Sequence, residues 1–164
     1  MAEEKWSWRE AVEEARAEVA KKGFPIPKPP EGMSKAYSFP MDVDGLSDPA
    51  LGKLMLQLTS WHSYTLVQLG WADAEHSALE AIFEMVVGDR VVKAMKELDK
   101  KADKASLRAS VISADENLRT VFKNLVKLEA RVRHYQALAD LYISQFNGLS
   151  RELSRRHGAA SMVR

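Results

Sequence analysis

The fold turns on residues 107–153, LRASVISADENLRTVFKNLVKLEARVRHYQALADLYISQFNGLSREL. Leu107, Val111, Ala114, Leu118, Val121, Leu125, Leu128, Val132, Tyr135, Ala139, Tyr142, Phe146, Leu149 and Leu153 follow one heptad seam through it without a slip. Apolar side chains that alternate in steps of three and four share one helical face. Read as one continuous helix, the segment predicts a rod of about 70 Å at about 1.5 Å per residue. A rod that long cannot bury its seam within itself, so it requires partner helices.

A second pattern lies upstream. Ser47, Asp48 and Pro49 offer a helix start, with Ser47 or Asp48 as cap and proline in the first turn. Leu51, Met55, Leu58, His62, Thr65, Leu69, Ala72, His76, Leu79, Phe83 and Val86 then repeat at helical spacing, and Leu54, Trp61, Leu66 and Ile82 widen the stripe. Gly88 and Asp89 are expected to interrupt it, and residues 91–105 to be charged helix or a mobile connection. Gly70 and Gly148, inside the patterns, are expected to mark bends or close helix contacts. Residues 1–22 read as an amphipathic helix, with Trp8, Ala11, Val12, Ala15 and Val19 on one face and Gly23 as its stop. Residues 23–47 read as a Pro-rich linker or strap. Within it the 24–30 run FPIPKPP favours extended, polyproline-like chain. The predicted organisation is all-α: a long antiparallel helical hairpin or coiled coil at 48–164, with a short N-terminal helix, forming oligomers.

Composition narrows the function classes. At 164 residues the chain suits one domain, and 46% hydrophobic content is ordinary for a globular protein. With no cysteine there is no disulfide framework, thiolate nucleophile or cysteine-ligated zinc. The amino terminus lacks the pattern of a secretory signal and no stretch resembles a membrane span, so a cytoplasmic protein is expected. No Gly-x-Ser-x-Gly turn, phosphate-cradling glycine loop or paired acidic motif accompanies His134, Tyr135 or the C-terminal serines. No catalytic residue and no cofactor is expected, and the reading is of a non-enzyme. Asp73, His76 and Glu80 share one helical side, but no second histidine motif joins them, so His76 and His62 are expected to pack rather than bind metal. Trp61, Tyr64 and Trp71 are likewise expected in the core, because stacking platforms need exposed rings interleaved with positive charge.

Charge is the most informative feature. Residues 1–88 carry a net charge of −6 and residues 89–164 a net charge of +7. Lys96, Lys100, Lys104 and Arg108 step by four, as do Arg119, Lys123, Lys127 and Arg131, and each set predicts a ridge on its helix. The 149–156 run LSRELSRR adds Arg151, Arg155 and Arg156, placed either to cover helix carbonyls or to hold phosphates. Such a surface binds nucleic acid without reading sequence, and repetition around an oligomer adds weak contacts together. The rival reading is a structural or scaffolding oligomer, such as a phage virion component, whose basic half packs on an acidic half. A third is an adaptor that recruits a partner through the Pro-rich arm.

From about residue 54 to residue 156 the order of elements resembles the phage recombination mediators of the UvsY type. The resemblance rests on LMLQLTSWHS at 54–63 in an aromatic-bearing helix, ALEA at 78–81, and ISAD at 112–115 in a second helix. It implies a small helical protein that assembles into rings and loads a recombinase on single-stranded DNA, in the host cytoplasm if phage-encoded. Where that family places a basic, glycine-rich turn after the Ala-Leu segment, this chain has IFEMVVGDR at 82–90. Binding is therefore expected on the lysine and arginine ridges, with Leu118, Leu125, Leu128, Val132, Tyr135, Tyr142, Phe146, Leu149 and Leu153 as the core or oligomer seam.

Overall fold

The computed structural model describes residues 8–23, 26–31, 39–40, 42–98 and 103–161. Among them lie four helices and no strand: α1 (Trp8–Lys21), α2 (Asp48–Leu98), α3 (Lys104–Ala114) and α4 (Glu116–Ser161). The chain divides into two compact units, one drawn from Met1–Phe24 and Trp71–Val132, the other from Pro25–Gly70 and Arg133–Arg164. Both α2 and α4 contribute to each.

In the first unit, α2 supplies Leu79, Phe83, Val87 and Val91 to a core completed by Leu118, Leu125 and Leu128 of α4. Leu107, Val111 and Ile112 of α3 pack against it. The helices meet in reverse order, because Glu75 pairs with Arg131 and Arg90 with Asp115. Helix α1 buries Val12 and turns Arg16 toward Glu75, at 2.7 Å, while Ala15 stays exposed. Gly23 ends α1 in a left-handed conformation, φ 73°, that a side chain would strain.

In the second unit, Leu51, Leu58 and Leu149 are fully buried. Phe39, Val43, Leu46, Leu54, Met55, Tyr142, Phe146 and Leu153 close around them. Ser47 caps α2: its carbonyl accepts from Leu51 N–H at 2.9 Å and its hydroxyl oxygen from Ala50 N–H at 3.4 Å. The predicted seam faces inward in both units, except that Ala114 is exposed.

Four expectations are corrected. The segment 107–153 is not one helix, because Asp115 adopts an extended conformation (φ −113°, ψ 119°) between α3 and α4. Its carboxylate accepts from the N–H groups of Asn117 at 2.7 Å and Leu118 at 3.1 Å, capping α4, and also pairs with Arg90. Conversely, α2 does not stop at Gly88; it runs on to Leu98, because Val87 and Val91 continue the buried stripe past the glycine. Gly70 and Gly148 mark no close approach, since a Cβ built at either meets nothing within 4 Å, and Leu66, expected to widen the stripe, is exposed.

Gly88 also has open space where a Cβ would lie. Gly88→Ala should therefore stabilise the protein by about 1 kcal/mol, the cost of glycine in a helix interior. Thermal melts followed by circular dichroism test this; a lower melting temperature would mean the glycine serves a bend.

Candidate nucleic-acid interface

The cations singled out by spacing separate into two kinds once their surroundings are known. On α4, Arg119, Lys123 and Lys127 are exposed, and among the described residues none of their side chains has an ion-pair partner. Leu118, Leu125 and Leu128 fix the inward face of this part of the helix. Steps of four from Arg119 therefore stay on the outward face. Arg131, the fourth member, turns aside to Glu75 at 3.3 Å.

The other predicted ridge does not exist as one helical row. Lys96 lies in the last turn of α2, Lys104 opens α3, and Lys100 falls outside the described residues. Arg108 is engaged: its guanidinium donates to both carboxylate oxygens of Glu84, at 2.6 and 2.5 Å, and sits 5.9 Å from the centroid of the Phe83 ring. That bidentate bond lowers the Glu84 carboxyl pKa and raises that of the guanidinium, against the opposing pull of desolvation.

Arg155 and Arg156 are also committed. Arg156 donates to the carbonyls of Val43 at 3.0 Å, Asp44 at 3.0 Å and Leu46 at 2.6 Å. It also pairs with Asp48 at 3.1 Å and Glu152 at 2.7 Å. The carbonyls it covers thus belong to the turn before α2, not to the end of its own helix, which corrects the capping expectation. Arg155 pairs with Glu152 at 2.8 Å and with Asp44 at 3.3 Å. Arg151 is exposed.

Hydrogen bonds from Arg155 first, and then Arg156, hold the Glu152 carboxyl down at about 2, from an ordinary 4.5. A depressed carboxyl contributes stability that is whole above its unfolded pKa and is lost as pH falls through its folded one. The clamp on the 42–48 turn should therefore weaken between pH 4.5 and about 2. Glu152→Gln should lessen that pH dependence, while Asp44 and Asp48 still pair with the same arginines; limited proteolysis of the turn across the interval reads it, and equal acid sensitivity in both proteins would contradict it.

One residue was missed. Phe122 lies between Arg119 and Lys123 in sequence and is 46% exposed, its ring 6.1 Å from that of Phe83 and tilted by 36°. Val126 continues this exposed apolar edge beside the cations. An exposed ring interleaved with positive charge is the combination that base-stacking surfaces use. The available signal was an aromatic off the seam and flanked by basic residues, Arg119-Thr-Val-Phe122-Lys123.

Trp61, Tyr64 and Trp71 pack against neighbouring side chains. Trp61 meets Tyr64 edge-on at 6.0 Å and Tyr142 at 6.4 Å, and Trp71 lies 5.0 Å beneath the Arg16 guanidinium. His76 Nδ1 lies 3.8 Å from Glu80, and the described residues contain no group of three or more possible metal ligands. Residues 26–30 carry no regular secondary structure, and Pro27, Lys28, Pro30 and Glu31 share a cavity of about 590 Å³ with Lys53, Leu56 and Trp61 of α2. Of the linker or strap expected at 23–47, residues 24–25, 32–38 and 41 lie outside the described residues. Among the described residues no helix is long and apolar enough to cross a membrane.

Compared with known proteins, the chain matches no protein family, no curated protein and no solved structure.

Proposed function

We propose that this chain is a non-enzymatic helical oligomer, its two long helices forming an antiparallel hairpin, that holds single-stranded nucleic acid by its phosphates in the cytoplasm. Loading a recombinase on single-stranded DNA is the role implied by its resemblance to phage mediators of the UvsY type. The observation that carries the reading is the α4 surface: Arg119, Lys123 and Lys127 exposed in one row, with no acid partner among the described residues and with Phe122 exposed beside them. Cations in that arrangement neutralise successive phosphates, and the ring offers a π-face that duplex bases, already stacked, do not need. Association is supported by exposed apolar side chains at helical spacing on α2, with Met85 at 64%, Val92 at 51% and Met95 at 40%. Titrating single-stranded DNA at increasing salt tests the binding; absence of binding at low salt removes the reading.

A specific observation favours the scaffold as second reading. Much of the charge polarity is consumed inside the chain, where Arg108, Arg131, Arg155 and Arg156 meet Glu84, Glu75, Asp44 and Asp48. In addition, α1 exposes Glu10, Glu14 and Glu18 in steps of four, a row matching the α4 cations in spacing and opposite in sign. In a scaffold the acidic row of one copy would seat on the basic row of the next. Light scattering separates the two: assemblies that dissolve with salt and ignore DNA are scaffolds.

A further inference from the structure

We infer that a cavity in the first unit, walled by α1, α2 and α4, is a seat for a phosphate group. The inference rests on the nucleic-acid reading only for the source of that phosphate. The cavity measures about 400 Å³ and has an apolar floor of Val12, Leu79 and Leu128. Around it stand Arg9 and Glu13 of α1, Glu75 of α2, and Asn124, Lys127 and Arg131 of α4.

Two carboxylates in the wall at first argue against an anion. Both are already answered, because Arg16 donates to Glu13 at 2.7 Å and to Glu75 at 2.7 Å. Arg16 is itself fixed over the Trp71 ring, 5.0 Å from its centroid. Counting Lys127, Arg131 and Arg16, which answers the wall carboxylates without lining the cavity itself, against Glu13 and Glu75 leaves an excess of one positive charge about the cavity. Lys127 has no ion-pair partner among the described residues, and the contact of Arg131 to Glu75, at 3.3 Å, is the longer of the two that Glu75 receives. Lys127 can therefore serve as a point charge, Arg131 can shift from carboxylate to phosphate, and the Asn124 amide adds a neutral donor. The apolar floor keeps one side of the anion from water, which strengthens each of these contacts.

The geometry separates Lys127 from its neighbour on the same row. Lys123 is exposed on the ridge and does not line the cavity, whereas Lys127 does both. The phosphate can be a diester of bound nucleic acid or a free phosphate, and the two sources are told apart by measuring each on the full-length protein. Inorganic phosphate should raise the melting temperature more than chloride at equal ionic strength. A 5′-unphosphorylated oligothymidylate supplies only diesters and is titrated by fluorescence anisotropy.

Lys127→Gln and the uncharged change Asn124→Ala should each abolish the phosphate-specific melting shift and weaken oligonucleotide binding about tenfold. Lys123→Gln should leave the shift intact and weaken binding only about twofold, as loss of one surface charge would. Lys127→Arg keeps the charge and should retain both signals, and unchanged circular dichroism shows that the variants fold. Phosphate protection without oligonucleotide binding would support the seat with free phosphate as its occupant, and overturn the nucleic-acid reading alone. Oligonucleotide binding that treats Lys127→Gln like Lys123→Gln and ignores Asn124→Ala would overturn the seat and leave the nucleic-acid reading standing. No response to either probe would overturn both.

Discussion

Leu149→Ala should destabilise the second unit by about 3 kcal/mol, within the range for leucines truncated in closely packed cores. Leu149 is fully buried, with Leu51 and Leu58 as its fully buried companions and Tyr142, Phe146 and Leu153 packed around the cluster. Each of these neighbours is held by a helix or by the clamped turn, so the void left by truncation cannot readily collapse. The cost is the lost transfer of the removed methyl groups plus the contacts that the cavity walls forfeit. Leu141→Ala is the matched control, because Leu141 is 46% exposed on the same helix and should cost well under about 1 kcal/mol. Chemical denaturation followed by circular dichroism measures both. Similar costs at the two positions would show that the heptad seam is not the core of this unit.

Changing Arg119, Lys123 and Lys127 together to glutamine should lower affinity for single-stranded DNA by about 100-fold at low salt. Each cation contributes through release of a counterion from a phosphate, so three lost contacts should flatten the plot of log affinity against log salt by about 2 units. Helicity should not change, because all three side chains are exposed and none has an ion-pair partner among the described residues. A companion variant sharpens the test. Arg108, Arg155 and Arg156 changed to glutamine remove equal charge, yet these residues are bonded to Glu84, Glu152, Asp44 and Asp48. That variant should lose stability and keep most of the salt slope. The reverse outcome would place binding on the wrong cations.

The helical architecture could be read from residues 48–161 because apolar spacing reports which side of a helix faces inward. Its breaks could not. At Asp115 the seam passes from Ala114 to Leu118 at the same step of four, so a one-residue interruption leaves the period undisturbed. At Gly88 the opposite error arose: a glycine costs a helix only about 1 kcal/mol, which burial of Val87 and Val91 on either side of it outweighs.

The cation ridges show the same division. Spacing correctly places Arg119, Lys123 and Lys127 on one outward face, because i and i+4 neighbours are fixed by helix geometry alone. Whether a guanidinium remains available depends on acids remote in sequence. Glu84 is 24 residues from Arg108, and Asp48 is 108 residues from Arg156. No local pattern encodes such a partner. Phe122 was passed over for a related reason: periodicity counts side chains on the buried face and is silent about an aromatic left outside it.

The most direct measurement is the affinity of the unmodified protein for single-stranded DNA, with double-stranded DNA in parallel, across a salt series. Binding through the α4 row predicts log affinity falling linearly with log salt, by about 0.7 for each phosphate held, and a preference for the single strand through stacking on Phe122. No binding at low salt, or an affinity indifferent to salt, would contradict it.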